Sequence, residues 1–182
     1  PKAMATNYPG LVRNYYHADL STTIVSRGEM HYRESIQTGD STFLHMYGFK
    51  LLYGDAKTAL NDPFSVVLTR TAAMKYFGKT NIVGQALNFE SMHGDRHDFI
   101  ISAVLEDISP NSVTNLNGHT RKTSAYSTDF FFNSDAGKYF RRNLDGWDNT
   151  GTVDYLELQK GADPKVVDRA MLALVKKFET DD

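Results

Sequence analysis

The chain has 182 residues and a mass of 20.5 kDa, with 41% hydrophobic and 23% charged residues, enough for one large domain or two small lobes. Lys and Arg number 20 against 22 Asp and Glu, and a net charge of −2 argues against a dedicated nucleic-acid binder, whose affinity comes largely from phosphate neutralisation. There is no Cys, which excludes a disulfide framework, a zinc–thiolate site, an iron–sulfur cluster and a thiol nucleophile; no apolar run approaches the ~18 residues of a membrane span.

The chain begins at Pro1 without an initiator Met or a signal-peptide pattern, and so reads as a piece of a longer protein. Residues 1–16 read as a short helix through Ala3-Met4-Ala5 and a turn at Pro9-Gly10. Segments 21–27 and 30–38 read as strands joined by a hairpin at Gly28-Glu29. Asp40 or Ser41 can cap a short helix carrying Phe43, Leu44 and Tyr47, followed by a short strand over 49–53. The clearest unit is 65–78. Val66-Val67-Leu68 is a buried strand by its β-branched content, Thr69 an N-cap, and Gly78 the residue past the helix end. Ala73, Met74 and Phe77 are the expected apolar face of that helix.

Segments 85–90 and 99–105 read as strands around a polar turn; the second is apolar on both faces and therefore central and covered twice. Residues 109–126 are rich in Asn, Ser, Thr, Gly, Lys and Arg and lack periodicity, the mark of a functional or mobile connection. A strand (127–132), a helix (134–142) and a strand (152–159) follow. In the last helix Asp163 caps, Pro164 takes the first position, and Val167, Ala170, Met171, Leu174 and Phe178 form one apolar stripe.

Chemistry is scarce. Gly78-Lys79-Thr80 resembles the end of a phosphate-binding loop, but Ala73 stands where that loop needs Gly. Glu90, His93, Asp95 and His97 fall in a Gly-containing turn rather than on a helix, so they read as a solvated turn and not a metal cluster. His17, His31, His45 and His119 have no partner visible in the sequence. No Gly-x-Ser-x-Gly elbow is present, and the adjacent carboxylates Glu106-Asp107 and Asp181-Asp182 do not converge. The expectation is a protein that is not an enzyme, with no cofactor and no metal. A partner-facing surface is expected at Asn115, Asn117, His119, Arg121, Lys122, Tyr126 and Trp147, from polar composition and aromatics near turns.

One ordered set of motifs carries a family resemblance. Asp40, Phe43, Leu44, Tyr47, Phe49, Leu51-Leu52 and Gly54-Asp55 are followed by Ala59-Leu60, Pro63 and Ser65-Val66-Val67-Leu68-Thr69. Next come Ala73, Lys75-Tyr76-Phe77-Gly78, Ile82-Val83-Gly84, the strand ending at Leu105 with Glu106-Asp107 and Pro110, and Tyr155-Leu156-Glu157-Leu158 with Gly161-Ala162-Asp163. This order and spacing resembles the MacB-like periplasmic core domain of ABC-transporter permeases in the FtsX/MacB superfamily. Arg70 stands where the family has Glu, Asn81 precedes Ile82 where Pro is common, and 109–126 departs from the family's short connection.

The resemblance implies an α+β fold of two lobes. A membrane-proximal βαβ-type, porter-like lobe is expected from both chain ends (1–38 plus 126–182), and a distal mixed α/β lobe from 39–125. It implies an extracytoplasmic domain on the periplasmic face of the bacterial inner membrane, anchored by transmembrane helices outside this sequence. That domain would transmit ATP-driven motion and contact cargo or partners in efflux or export. The implied partners are a cytoplasmic ATPase subunit, a second copy of the permease core domain, and a periplasmic adaptor or outer-membrane channel; nucleic acid is not among them. Two other readings are a secreted peptide- or glycan-binding module, motivated by aromatics near turns, and an enzyme whose site is assembled from separate elements. Both chain ends are expected on the same lobe.

Overall fold

A computed structural model describes residues 1–109, 112, 128–142 and 152–179. In chain order the elements are α1 (Lys2–Asn7), β1 (Val12–Arg27), β2 (Met30–Gly39), α2 (Phe43–Met46), β3 (Leu51–Gly54), β4 (Ser65–Thr69), α3 (Arg70–Phe77), β5 (Ala86–Glu90), β6 (Arg96–Leu105), β7 (Phe130–Asn133), α4 (Ala136–Tyr139), β8 (Thr152–Leu158) and α5 (Pro164–Glu179).

The eight strands form one mixed sheet, and its pairing closes on itself. β1 pairs with β2, β2 with β7, β7 with β4, β4 with β6, β6 with β5, and β5 returns to β1 through Val25↔Phe89 and Ser26↔Asn88. Only β2–β7 and β4–β6 are parallel. Strand β8 lies outside this circuit on the first half of β1, and β3 lies on the end of β6.

Period-two alternation divides the strands between two cores. Val66 and Leu68, Leu87 and Phe89, Phe99 and Ile101, and Phe130 and Phe132 pack with Ala72, Ala73 and Tyr76 of α3 and with Ala136 and Phe140. Val67, Ala103, Leu105 and Phe131 face the other way, against Tyr16, Phe43, Leu44, Ala59 and Leu60. This explains why Phe130-Phe131-Phe132 are all buried: consecutive residues serve opposite faces. A third cluster joins α1, the start of β1, β8 and α5 through Met4, Val12, Val167, Ala170 and Leu174.

Local signals in the sequence are realised where they carry their own stop and start chemistry. Thr69 accepts the Ala72 N–H at 3.2 Å as N-cap of α3, and Gly78 ends that helix at φ +67°. The Asp163 carboxylate accepts the Lys165 N–H at 2.9 Å at the start of α5.

Several boundaries differ from expectation. Strand β1 starts at Val12, not at 21, because 12–19 gains its ladder from β8, some 140 residues away in sequence. Strand β6 starts at Arg96, inside the expected turn, because Glu90 and Phe89 pair with Arg96 and His97. On α3 the buried residues are Ala72, Ala73 and Tyr76, while Met74 is 49% exposed, so the apolar stripe is rotated from the expected one. Met171 likewise lies at the margin of the α5 stripe, 41% exposed.

The expected lobe boundary is crossed by the ladder. Strand β7, from the segment 126–182, lies between β2 and β4; all four of its residues are buried, and Phe130 and Phe131 have backbone partners on both sides. What the two chain ends share by themselves is the third cluster, where α1 and α5 pack together. It is called the terminal unit below, and the closed six-strand circuit the ring.

Candidate functional site

Among the described residues, strand β1 is the one element common to the terminal unit and the ring. Its residues Ala18 and Asp19 are paired on both edges, to Gly39 and Thr38 of β2 and to Val153 and Thr152 of β8. Around this crossing the sequence gathers a set of non-local polar and aromatic ties.

The segment 40–49, which leaves β2 and carries α2, lies across the β1–β8 ladder. The Asp40 carboxylate accepts the His17 N–H at 2.9 Å, and the Asp40 N–H donates to the His17 carbonyl at 3.2 Å. The Thr42 hydroxyl donates to the Tyr15 carbonyl at 2.5 Å. Phe43 stacks on Phe131 at 4.6 Å and meets Tyr16 at 5.3 Å; Tyr47 meets Tyr16 at 5.8 Å and stands edge-on to Tyr155 of β8 at 5.9 Å. The Tyr16 hydroxyl accepts the Gln37 amide at 2.6 Å. A Cβ on Gly39 would lie 2.7 Å from the Tyr16 ring and 2.8 Å from the His17 carbonyl, so the close approach of β2 to β1 needs glycine here.

Charge at the crossing is paired. The Arg142 guanidinium donates to both oxygens of Asp19, with Nη2 at 2.7 Å from Oδ1, and Asp19 is 1% exposed. Helix α4 delivers that arginine. Its first turn is held by the Asn133 side chain, which accepts the Ala136 N–H at 3.0 Å. Its last residue Tyr139 reaches the Phe89 carbonyl at 2.8 Å, and Arg141 turns the chain at φ +54°. His17 Nδ1 pairs with the Asp154 carboxylate directly across the β1–β8 ladder. Burial raises the pKa of Asp40, against the opposing pull of the His17 N–H and the His17 ring. Burial likewise raises the pKa values of Tyr16 and Tyr47, so both hydroxyls keep their protons.

A second polar cluster lies where parallel β4 and β6 end and α3 begins. The Asp129 carboxylate accepts the Thr69 hydroxyl at 2.6 Å, and Asp107 accepts the Thr71 N–H at 2.8 Å. Burial, then the neighbouring carboxylates Glu34 and Asp107, raise the pKa of Asp129, while the Thr69 hydroxyl lowers it. Glu34 accepts from Lys75 at 2.5 Å and from the Tyr76 hydroxyl at 2.6 Å, and Lys75 lies 4.3 Å over the Tyr32 ring. Tyr32 and Met74 are 45% and 49% exposed beside this cluster. Asp107 and Asp129 are thus engaged by the first turn of α3 and its capping hydroxyl, and Glu34 by an ion pair and a phenol.

None of the seven expected partner-facing residues, Asn115, Asn117, His119, Arg121, Lys122, Tyr126 and Trp147, lies among the described residues. His93 sits in the β5–β6 turn, whereas His97 is on β6, 4.1 Å from the Phe64 ring. No group of three or more His, Asp or Glu that could hold a metal ion occurs among the described residues. His17 and His31 have partners, Asp154 and Ser26. No sequence signal marked the crossing at Asp19: its partners come from residues 38, 142 and 152.

A family model described as the MacB-like periplasmic core domain matches residues 3–174. No curated protein matches the sequence. Among solved structures, the fold is similar to a domain of a protein described as a permease from Porphyromonas gingivalis. That likeness has a TM-score of 0.71 at 23% identity and covers 97% of this chain and 68% of that one. It is also similar to the periplasmic region of MacB from Actinobacillus actinomycetemcomitans, with a TM-score of 0.67 at 14% identity over 97% of this chain and 72% of that one. The extracellular domain of the noncanonic ABC-type transporter YknZ from Gram-positive bacteria gives a TM-score of 0.62 at 12% identity, over 91% of this chain and 74% of that one.

Proposed function

The chain belongs to the MacB-like periplasmic core domain family, the periplasmic domains of MacB- and FtsX-like ABC transporter permeases, and from that premise we propose that it passes ATP-driven motion between its terminal unit and its ring. The family assignment sets aside the secreted binding module. The observation that carries the proposal is β1, a 16-residue strand whose first half belongs to the terminal unit and whose second half belongs to the ring. A hydrogen-bonded strand anchored in two cores transmits displacement where a loop would absorb it.

In this reading the domain stands on the periplasmic side of the inner membrane, carried by transmembrane helices of the whole permease. It works beside a second copy and a cytoplasmic ATPase subunit, and an adaptor or outer-membrane channel is a further partner. It carries out no bond chemistry and holds no cofactor. No helix among the described residues is long and apolar enough to cross a membrane. The exposed Tyr32–Met74 surface, ordered by Lys75 and Glu34, is the partner-contact face on the described part of the ring.

The absence of Cys makes the test direct, since each introduced thiol in this domain is unique. Spin labels at Glu29, the exposed hairpin tip, are read between the two copies of the intact permease. The expected result is a changed distance distribution on ATP binding; an unchanged one counts against transmission. A photo-cross-linker at Tyr32 should capture a protein partner in cells, and its silence counts against that face.

A further inference from the structure

We propose that segment 40–49 is a releasable seat between the terminal unit and the ring, and that the Tyr47 hydroxyl is what keeps it releasable. The proposal deepens the transmission reading and rests on it for its consequence in the transporter, but the seat itself is a property of this domain alone.

The segment is built to depend on packing. Helix α2 has four residues and no side-chain cap, far below the length at which a helix holds itself. Gly48 follows at φ +62° with open space where a Cβ would stand, so the backbone can turn there without a steric stop. Its position therefore comes from what it touches: His17 and Tyr15 through Asp40 and Thr42, and the rings of Tyr16, Phe131 and Tyr155 through Phe43 and Tyr47. Tyr15, Tyr16 and His17 lie on the shared strand and Phe131 on ring strand β7, whereas Tyr155 lies on β8 of the terminal unit. The seat spans the joint.

Tyr47 carries a defect within that seat. Its ring has four aromatic neighbours, Tyr16, Phe43, Phe49 and Tyr155, at 5.8 to 6.1 Å. Its hydroxyl oxygen is buried and has no hydrogen-bond partner among the described residues. A phenol gains a large apolar burial from such a site and loses the hydration of its hydroxyl. Phe would make the same ring contacts without that loss. The tyrosine thus disfavours the seated arrangement relative to any arrangement in which the hydroxyl meets water. An element with a fixed contact set and a built-in penalty is poised between two states.

The test is Tyr47→Phe in the domain, read by amide hydrogen exchange at Met46 and Tyr47, whose N–H groups bond to Thr42 and Phe43. In the unaltered domain these amides should exchange faster than those of β6, through local release. In Tyr47→Phe they should exchange about tenfold more slowly, the effect of removing one unsatisfied buried hydroxyl. Tyr155→Phe, on a half-buried ring of the same cluster, should leave them unchanged. Protection equal to that of β6 in the unaltered domain, or unchanged or faster exchange in Tyr47→Phe, would overturn the seat. In the intact permease the same substitution should lower ATP turnover by the partner subunit severalfold. Slowed exchange with normal turnover would uphold the seat and overturn the transmission reading, so the two failures are distinguishable.

Discussion

Removing Arg142 leaves Asp19 as an unpaired carboxylate at the crossing of β1 with β2 and β8. The native pair has two charge-assisted bonds and one partner that is 1% exposed, so Arg142→Ala should cost about 3–5 kcal/mol, the range for breaking a buried pair from one side. The two lost charge-assisted bonds, at about 1.5–3 kcal/mol each, give the same magnitude. The double variant Asp19→Leu/Arg142→Leu, which leaves no charge behind, should recover most of the loss. Urea unfolding followed by circular dichroism at pH 7 measures both variants against the unaltered domain. A loss in Arg142→Ala below about 1 kcal/mol, or a double variant no more stable than Arg142→Ala, would refute the reasoning.

Gly39→Ala should destabilise by about 1–3 kcal/mol, because the new methyl meets the Tyr16 ring and the His17 carbonyl; an unchanged denaturation midpoint would contradict the close approach described. Thr69→Ala removes both the α3 cap and the hydroxyl that Asp129 accepts, and should cost about 1–2 kcal/mol by the same unfolding measurement. Asp129 has a raised folded pKa from burial, so its ionisation weakens the fold as pH rises through that value. Asp129→Asn should therefore gain stability relative to the unaltered domain at pH 7 and lose that advantage towards pH 4; an advantage that grew on acidification would reverse the assigned sign.

The elements that could be read from the sequence are those whose information is local. Thr69, Ala73 and Gly78 define α3 within ten residues, and Asp163-Pro164 with the Val167, Ala170, Leu174 stripe defines α5. The apolar residues on both faces of 99–105 announced a strand covered twice, and Ile101 and Val104 face one core while Ala103 and Leu105 face the other. The first half of β1 was illegible because Asn14, Tyr15 and Tyr16 become strand only through Glu157, Leu156 and Tyr155. The joint shares that defect. Asp19 and Arg142 are 123 residues apart, and nothing in either neighbourhood names the other. Tyr47 stood in the motif that carried the family resemblance, and what the motif could not tell is that its hydroxyl has no partner among the described residues. The seven polar and aromatic residues expected to face a partner came from composition, which locates a loop but not the surface it meets.

The terminal unit takes one half of its core from residues near the start of the chain and the other half from residues near its close. During synthesis, α1 and the first stretch of β1 emerge long before β8 and α5 exist to receive them. Until then Met4 and Val12 have no permanent cover, and the β8-side edge of β1 is an open template for any passing strand. The ring can assemble in the interval, since β1 through β7 precede β8 in the chain. Loop closure over such a separation is slow, so the terminal unit should be the last part of the domain to acquire protection and the part most dependent on chaperones. The part of the molecule where α1 and α5 meet is then also the part whose folding waits for the rest of the chain.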